Sequence, residues 1–268
     1  MNKPHKIVVF DLDETLGYFT EFGIFCDCLN NYFKNNDYSE QNFNELLDLY
    51  PLFLRPKILS ILQYLKRKKK ENKCYKVMIY TNNQGDRSWV NNIKSFFEFK
   101  IGSKKDDLLF DKIIAAFKVD GKHVELGRTS HDKTMDDFIR CTKMPMNIEL
   151  CFIDDVYHDG MADDKVYYVN VKPYKYQLTI DEMTNTFLSS KLGKIVANKE
   201  HFKKMIHANF NRYSYRLVQK TKEEQDIDEI IGKRILQHLK KFFYEKTNKT
   251  YKKRGRGIEN RTMKRTSK

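Results

Sequence analysis

Three short apolar runs, each stopping abruptly on oxygen-bearing side chains, constrain this chain more than any other feature. Ile7-Val-Val-Phe10 stops at Asp11, Lys76-Val-Met-Ile-Tyr80 at Thr81, and Leu150-Cys-Phe-Ile153 at Asp154-Asp155. Apolar runs this short read as strands buried on both faces, and Val166-Tyr-Tyr-Val169 is a fourth. The segments between them have helical spacing. Pro56 opens a helix whose stripe is Ile58, Leu59, Ile61, Leu62 and Leu65, and whose end carries the basic run Lys66 to Lys70, suited to a helix C-terminus. Asp86 is placed to cap a helix bearing Trp89, Val90, Ile93, Phe96 and Phe97. Ser130 is placed to cap one bearing Met135, Phe138 and Ile139. Thr179-Ile-Asp-Glu182 has the form of a capping box before a helix ending at Gly193. Residues 21–36 and 39–50 are weaker, aromatic-rich helical segments. A small insertion is expected at about 99–130, with Ile113–Phe117 its best strand.

Strands alternating with helices predict an α/β fold with a central parallel sheet. In such sheets ligands gather beyond the carboxyl ends of the strands. Asp11 and Asp13, Thr81, and Asp154 with Asp155 all fall just past strand ends. Three separate segments therefore deliver an acid pair, a hydroxyl and a second acid pair to one edge.

Charge divides the chain. Of its net +14, residues 199–268 hold 21 Lys+Arg against 8 Asp+Glu, which leaves 1–198 nearly neutral. The boundary separates a domain over 1–198 from a basic helical extension over 199–249. The extension reads as two amphipathic helices, one with Phe202, Met205, Ile206, Phe210, Tyr213 and Leu217, the other with Ile227, Ile230, Ile231, Ile235, Leu239, Phe242 and Phe243. Whether they pack on the domain or stand apart is open at this level. Residues 250–268 are basic and poor in large aliphatic side chains, so they are expected to be disordered. The basic region suits nucleic acid or an acidic partner through salt-sensitive attraction. No apolar run approaches the roughly 18–20 residues of a membrane span, and the N-terminal apolar run is too short for a signal peptide. Five scattered cysteines without a Cys-x-x-Cys indicate neither a zinc knuckle nor a disulfide framework. The expectation is an intracellular protein, cytoplasmic or nuclear and not secreted, with its oligomeric state open.

The chemistry follows from the acids. Asp11 and Asp13 are two apart, so in an extended segment they point the same way. Brought near Asp154 and Asp155, they repel unless a cation joins them, and all-oxygen ligation of this kind favours Mg²⁺. A carboxylate can attack phosphorus to form an aspartyl phosphate, and a second carboxyl can pass the protons. Thr81 can donate to phosphoryl oxygens, and Lys133, opening a helix, can add a positive charge.

Asp11-Leu-Asp13-Glu-Thr15, Thr81 after a strand, Lys133 opening a helix and Asp154-Asp155 after a strand resemble the four ordered motifs of the haloacid dehalogenase (HAD) superfamily, over roughly residues 5–172. The resemblance implies a Rossmann-like HAD fold and Mg²⁺ dependence. Asp11 would be nucleophile and metal ligand. Asp13 would be the general acid/base and lend the metal its backbone carbonyl. Thr81, Asn82 and Lys133 would hold the phosphoryl group, and Asp154 with Asp155 would complete the metal site. An acid at position 13 favours a phosphatase over the dehalogenases and P-type ATPases of the superfamily.

Asp11-Leu-Asp-Glu-Thr-Leu16 with Leu54-Arg55-Pro56 looks most like the protein serine/threonine phosphatases that act on the RNA polymerase II C-terminal domain. Versions encoded by large DNA viruses, called NLI-interacting-factor-like, are the most similar. Two strings depart from that pattern. Asp154-Asp155 stands where the family has Asp-Asn, and Thr81-Asn-Asn-Gln84 resembles the phosphatase half of polynucleotide kinase–phosphatases. The 51 residues between Thr81 and Lys133 leave little for a cap, so an open site is expected. The leading expectation is a Mg²⁺-dependent phosphatase of phosphoproteins. A nucleic-acid 3′-phosphatase is the alternative, without any P-loop string for a kinase half. A vestigial phosphatase domain serving a basic binding tail is the third. Thr15 is expected to brace the loop after the first strand.

Overall fold

The computed structural model describes residues 3–34, 40–213, 217 and 219–244. Its framework is one sheet of five parallel strands: β1 (His5–Phe10), β2 (Lys76–Tyr80), β3 (Phe110–Ile114), β6 (Ile148–Asp154) and β7 (Val166–Asn170). They lie in the order β3-β2-β1-β6-β7. Helices connect them: α1 (Thr20–Phe33), α2 (Glu40–Asp48) and α3 (Ile58–Lys70) before β2, α4 (Arg87–Lys100) before β3, and α5 (Met135–Thr142) before β6. A two-stranded hairpin, β4 (Lys118–Val119) and β5 (Lys122–His123), sits between β3 and α5, turning through Asp120 and Gly121 at positive φ. After β7 come α6 (Ile180–Ser189), α7 (Lys199–Phe210) and α8 (Lys222–Tyr244). The sheet grows outward from β1 in both directions, so the switch point lies between β1 and β6, where such folds open a crevice at their carboxyl ends.

Alternation along each strand feeds two cores. Val8, Phe10, Val77, Ile79, Cys151 and Ile153 face a thick layer to which every helix but α5 contributes. Ile7, Val9, Met78, Tyr80, Leu150 and Phe152 face a thin layer completed by α5 and by Met161. All five cysteines are buried and unpaired.

The structure moves several predicted boundaries. The strand expected at Ile113–Phe117 inside an insertion is β3, which pairs with β2 as the sheet's edge. The Glu98 carboxylate receives the Leu109 and Phe110 N–H groups at 3.0 and 2.8 Å and starts the strand early. Only the short hairpin stands outside the sheet. Thr134, and not Ser130, caps α5, accepting from the Asp137 N–H at 3.0 Å. The Thr179 capping box forms, with Glu182 returning to the Thr179 N–H at 2.7 Å. Its helix stops at Ser189, and the chain then folds back so tightly that a Cβ on Gly193 would sit 2.3 Å from the Phe187 carbonyl oxygen. α3 begins at Ile58, two residues past Pro56.

The C-terminal helices share the thick core. Phe202 of α7 stacks on Phe187 of α6 at 5.4 Å between ring centres, and Ile206 and Phe210 are buried beside it. Burying one such phenylalanine contributes roughly 2–3 kcal/mol. Met205 and Tyr213, expected on the same stripe, are exposed. α8 buries Ile235, Leu239 and Phe242 and approaches the start of α3 so closely that a Cβ on Gly232 would lie 2.2 Å from the Pro56 oxygen. The stretch 250–268, expected to be a disordered tail, lies outside the described residues. Among the described residues no helix is long and apolar enough to cross a membrane.

Candidate active site

The loop after β1 carries the first acid pair. The Asp11 N–H still donates to Ile153 O at 2.9 Å, so its carboxylate leaves the sheet at the carboxyl edge beside β6. The chain then turns back on itself, with Leu16 N–H on Leu12 O at 2.9 Å and Glu14 at φ 59°. Gly17 closes this turn where a Cβ would stand 2.5 Å from Phe53 O. Arg55, 1% exposed, reaches into the turn. It donates from Nε to Thr15 O at 2.6 Å and from Nη2 to the Glu14 and Lys172 carbonyls. Thr15 in turn donates to Asp155 Oδ1 at 2.8 Å and accepts from the Asp155 N–H at 3.1 Å. Thr15 thus ties the first acid loop to the second, which is the bracing role its position predicts.

β6 delivers Asp154 and Asp155 alongside. Asp154 Oδ1 accepts from the Val156 N–H at 2.8 Å, and Asn170 donates to both Asp154 O and Asp155 O at 3.1 Å. Lys133 enters from the thin face, one residue before the Thr134 cap. Its Nζ lies 2.5 Å from Asp11 Oδ1 and 2.7 Å from Asp154 Oδ2. One carboxylate oxygen from each of Asp11, Asp154 and Asp155 falls within 4.8 Å of the others. Three acids and one lysine leave the cluster with a deficit of positive charge in a place shielded from water. Burial pushes the Asp11 carboxyl up to about 7 against the pull of Lys133, with the Asp154 charge adding to the rise. Asp154 is raised by burial too, again against Lys133. Burial works against the ammonium of Lys133, and the two carboxylates together overcome it and raise its pKa. These three acids are the residues able to hold a hard cation through oxygen alone.

Asp13 stands apart from that trio. Its Oδ2 accepts from Asn83 Nδ2 at 2.7 Å, and burial lifts its carboxyl to about 6 against that hydrogen bond. Thr81 is buried at the end of β2, its N–H on Ile114 O at 3.0 Å and its Oγ1 accepting from the Asn83 N–H at 2.9 Å. Among the described residues its hydroxyl donates to none, so that proton is available to a ligand. Asn82, singled out by its motif, does not contact Asp13; its Oδ1 is buried without a hydrogen-bond partner, and Asn83 makes the contact. His158 Nε2 lies 3.6 Å from Asp154, but burial and the nearby Lys133 hold its imidazole down at about 4, hence neutral. His131 packs its ring on Phe117.

Arg128 was not anticipated by any motif. It is 1% exposed and donates to Thr81 O at 3.2 Å, Ala115 O at 3.0 Å, His131 O at 2.8 Å and Asp132 O at 3.3 Å. Its guanidinium carbon lies 4.9 Å from the Tyr80 ring centre. One side chain thereby stitches the ends of β2 and β3 to the segment that presents Lys133. Asn83 and Arg55 also go beyond the residues predicted for the site. An arginine that binds backbone carbonyls leaves no periodicity or spacing to find, while Asn83 was at least adjacent to a residue the motif marked. Comparison of the chain with protein-family models, curated protein sequences and solved structures finds no match.

Proposed function

We propose that the chain is a Mg²⁺-dependent phosphomonoesterase of the HAD type, forming an aspartyl phosphate on Asp11 and acting on phosphoserine or phosphothreonine in proteins. The observation that carries the reading is the meeting of Asp11, Asp154 and Asp155 around one buried lysine, with Asp13 two residues beyond the nucleophile at the same edge. No thiolate nucleophile is available there, since all five cysteines are buried and burial raises their thiols.

Asp11, Asp154 and Asp155 fit Mg²⁺ by donor type, and burial raises the carboxyls of Asp11 and Asp154 despite the nearby Lys133. The ion, when bound, supplies positive charge to the phosphoryl oxygens. An Asp11 oxygen attacks phosphorus and the bond to the leaving oxygen breaks. Asp13, held near neutral range by its burial, gives that oxygen its proton. A water then attacks the same phosphorus and loses its proton to Asp13, and Asp11 leaves as a free carboxylate with inorganic phosphate as the product. Lys133 orients Asp11 and offsets phosphoryl charge, and Thr81 donates its free O–H to a phosphoryl oxygen. The protein-phosphatase assignment draws on Asp11-Leu-Asp-Glu-Thr-Leu16 and Leu54-Arg55-Pro56, and on the modest size of the hairpin beside the site.

Hydrolysis of an aryl phosphate by the purified chain, with Mg²⁺ or with EDTA and for wild type and Asp11→Asn, tests this reading. Activity abolished by both the chelator and the substitution is expected. Wild-type protein inert toward aryl phosphates and phosphopeptides alike would overturn it.

A further inference from the structure

We propose that the groove along the open edge of the sheet, between α4 and β3, receives an acidic peptide in extended form and leads its phosphorylated residue to Thr81. The inference rests on the phosphatase reading and adds to it the part of the substrate that is not the phosphate.

β3 is the last strand on its side, so among the described residues no strand pairs with its outer edge. Beside it lies a cavity of about 450 Å³, lined by Val90 and Lys94 of α4, by Ile113, by Val119 and Val124 of the hairpin region, and by Thr81 and Asn83. Asn83 also donates to Asp13, so the groove and the candidate active site share residues. Backbone chemistry favours a peptide. The Thr81 N–H takes Ile114 O, so strand alternation turns the N–H and C=O of Ile113 outward, away from β2. At Ala115 the outward groups are already taken by Glu125 and Arg128. An extended chain can therefore pair at Ile113 and must bend off toward Thr81 at Ala115, a short form of strand addition. At ~3.3 Å per residue, the length of β3 accommodates about five residues of such a chain.

Charge selects the kind of peptide. Arg87 and Lys94 line the groove against Asp86 and Asp111, while the ammonium of Lys112 is turned to the Cys141 carbonyl. Both acids are already occupied: Asp86 caps α4 through the Ser88 N–H at 2.7 Å, and Asp111 lies between Lys69 and Lys76 at 2.9 Å each. Among the described residues no carboxylate pairs with Arg87 or Lys94, which leaves cations facing the groove. Its lining holds no aromatic ring, so it lacks the stacking platforms that single-stranded nucleic acid uses. Val124, 38% exposed, offers an apolar lip instead.

The test compares three substrates on the full chain: para-nitrophenyl phosphate, an acidic phosphopeptide of about ten residues, and a 3′-phosphorylated oligonucleotide. In the double variant Arg87→Glu/Lys94→Glu the KM for the phosphopeptide is expected to rise at least tenfold, with aryl-phosphate hydrolysis unchanged. Val124→Glu, at an exposed lip position, should raise the same KM severalfold. Unchanged phosphopeptide KM in both variants overturns the proposal, as does a wild-type kcat/KM tenfold higher for the oligonucleotide than for the peptide. Should wild-type protein hydrolyse none of the three, the phosphatase reading falls by itself, and fluorescence anisotropy of the labelled phosphopeptide decides about the groove. Binding weakened at least tenfold in the double variant then upholds it. Equal binding, or none to wild type, overturns it.

Discussion

The two faces of the sheet differ in how many aromatic rings they hold and in how close those rings come to the candidate site. On the thick face they pack on one another: among the described residues thirteen buried phenylalanines belong to that core and two to the thin one. Phe22 alone meets Phe43, Tyr50, Phe53 and Trp89. On the thin face Phe152 stacks on Tyr168 at 5.2 Å, and the rings beside the site also support its cations. Lys133 Nζ lies 5.7 Å from the centre of Tyr80 and 5.9 Å from that of Phe152, and Arg128 stands over Tyr80. A ring face offers a buried cation some of the stabilisation it loses with water. The comparison teaches where stability and chemistry are kept: the face with the helices makes the molecule stable, and the face with one short helix tolerates the charges that the site requires.

The sharpest way to break that division is Asp11→Asn. It is expected to remove the proposed phosphatase activity by at least about 10³-fold, as loss of a nucleophile does, while raising the melting temperature, because one buried carboxylate that repels its neighbours is gone. Steady-state rates and a thermal melt on the same preparation check both halves, and a fall in both would show that the cluster serves stability. Phe202→Ala is the opposite case. It empties part of the thick core at a cost of about 3–5 kcal/mol, with kcat per folded molecule unchanged, as denaturant titration and active-site-normalised rates would show.

Third in size is a pH effect confined to the thick face. Glu21 is fully buried, with one oxygen accepting the Leu178 N–H at 3.0 Å, and burial lifts its carboxyl to about 8 against that hydrogen bond. Between an ordinary value near 4.5 and about 8 the folded chain keeps a proton that the unfolded chain has released. Stability from this group is therefore full below pH 4.5 and falls as pH rises to 8. Glu21→Gln should flatten that decline, seen as melting temperatures that converge with wild type in acid and exceed it at pH 8. The smallest effect is expected at Thr179→Ala, about 1 kcal/mol from the lost cap of α6, measurable by chemical denaturation and without consequence at the site.

How much could be read beforehand divides along similar lines. β1, β2 and β6 are legible because both their faces are buried, so their apolar runs are unbroken. β3 is an edge strand with Asp111 and Lys112 inside it, and that polarity hides its start. The acid pairs and Thr81 are legible because topology alone sends strand ends to one edge. Lys133 came from the motif order, since nothing local distinguishes it from 50 Lys+Arg in all. Arg55 and Arg128 were not legible as pillars of the site, because their partners are carbonyls from segments distant in the chain. The amphipathic stripes of α7 and α8 predicted helices but could not say which surfaces they would cover.

The close approach of Gly232 to Pro56 has a consequence for how the molecule is made. Arg55, next to that contact, feels the charge of Asp228 on α8, which Lys220 holds in a buried ion pair. The same arginine holds the loop that follows Asp11. A ribosome releases all four acids, the last of them Asp155, before Asp228 and Gly232, so a nascent chain for a time carries the acid cluster with the support behind it unfinished. The site reaches its final form only when α8 has left the exit tunnel and can pack behind Arg55.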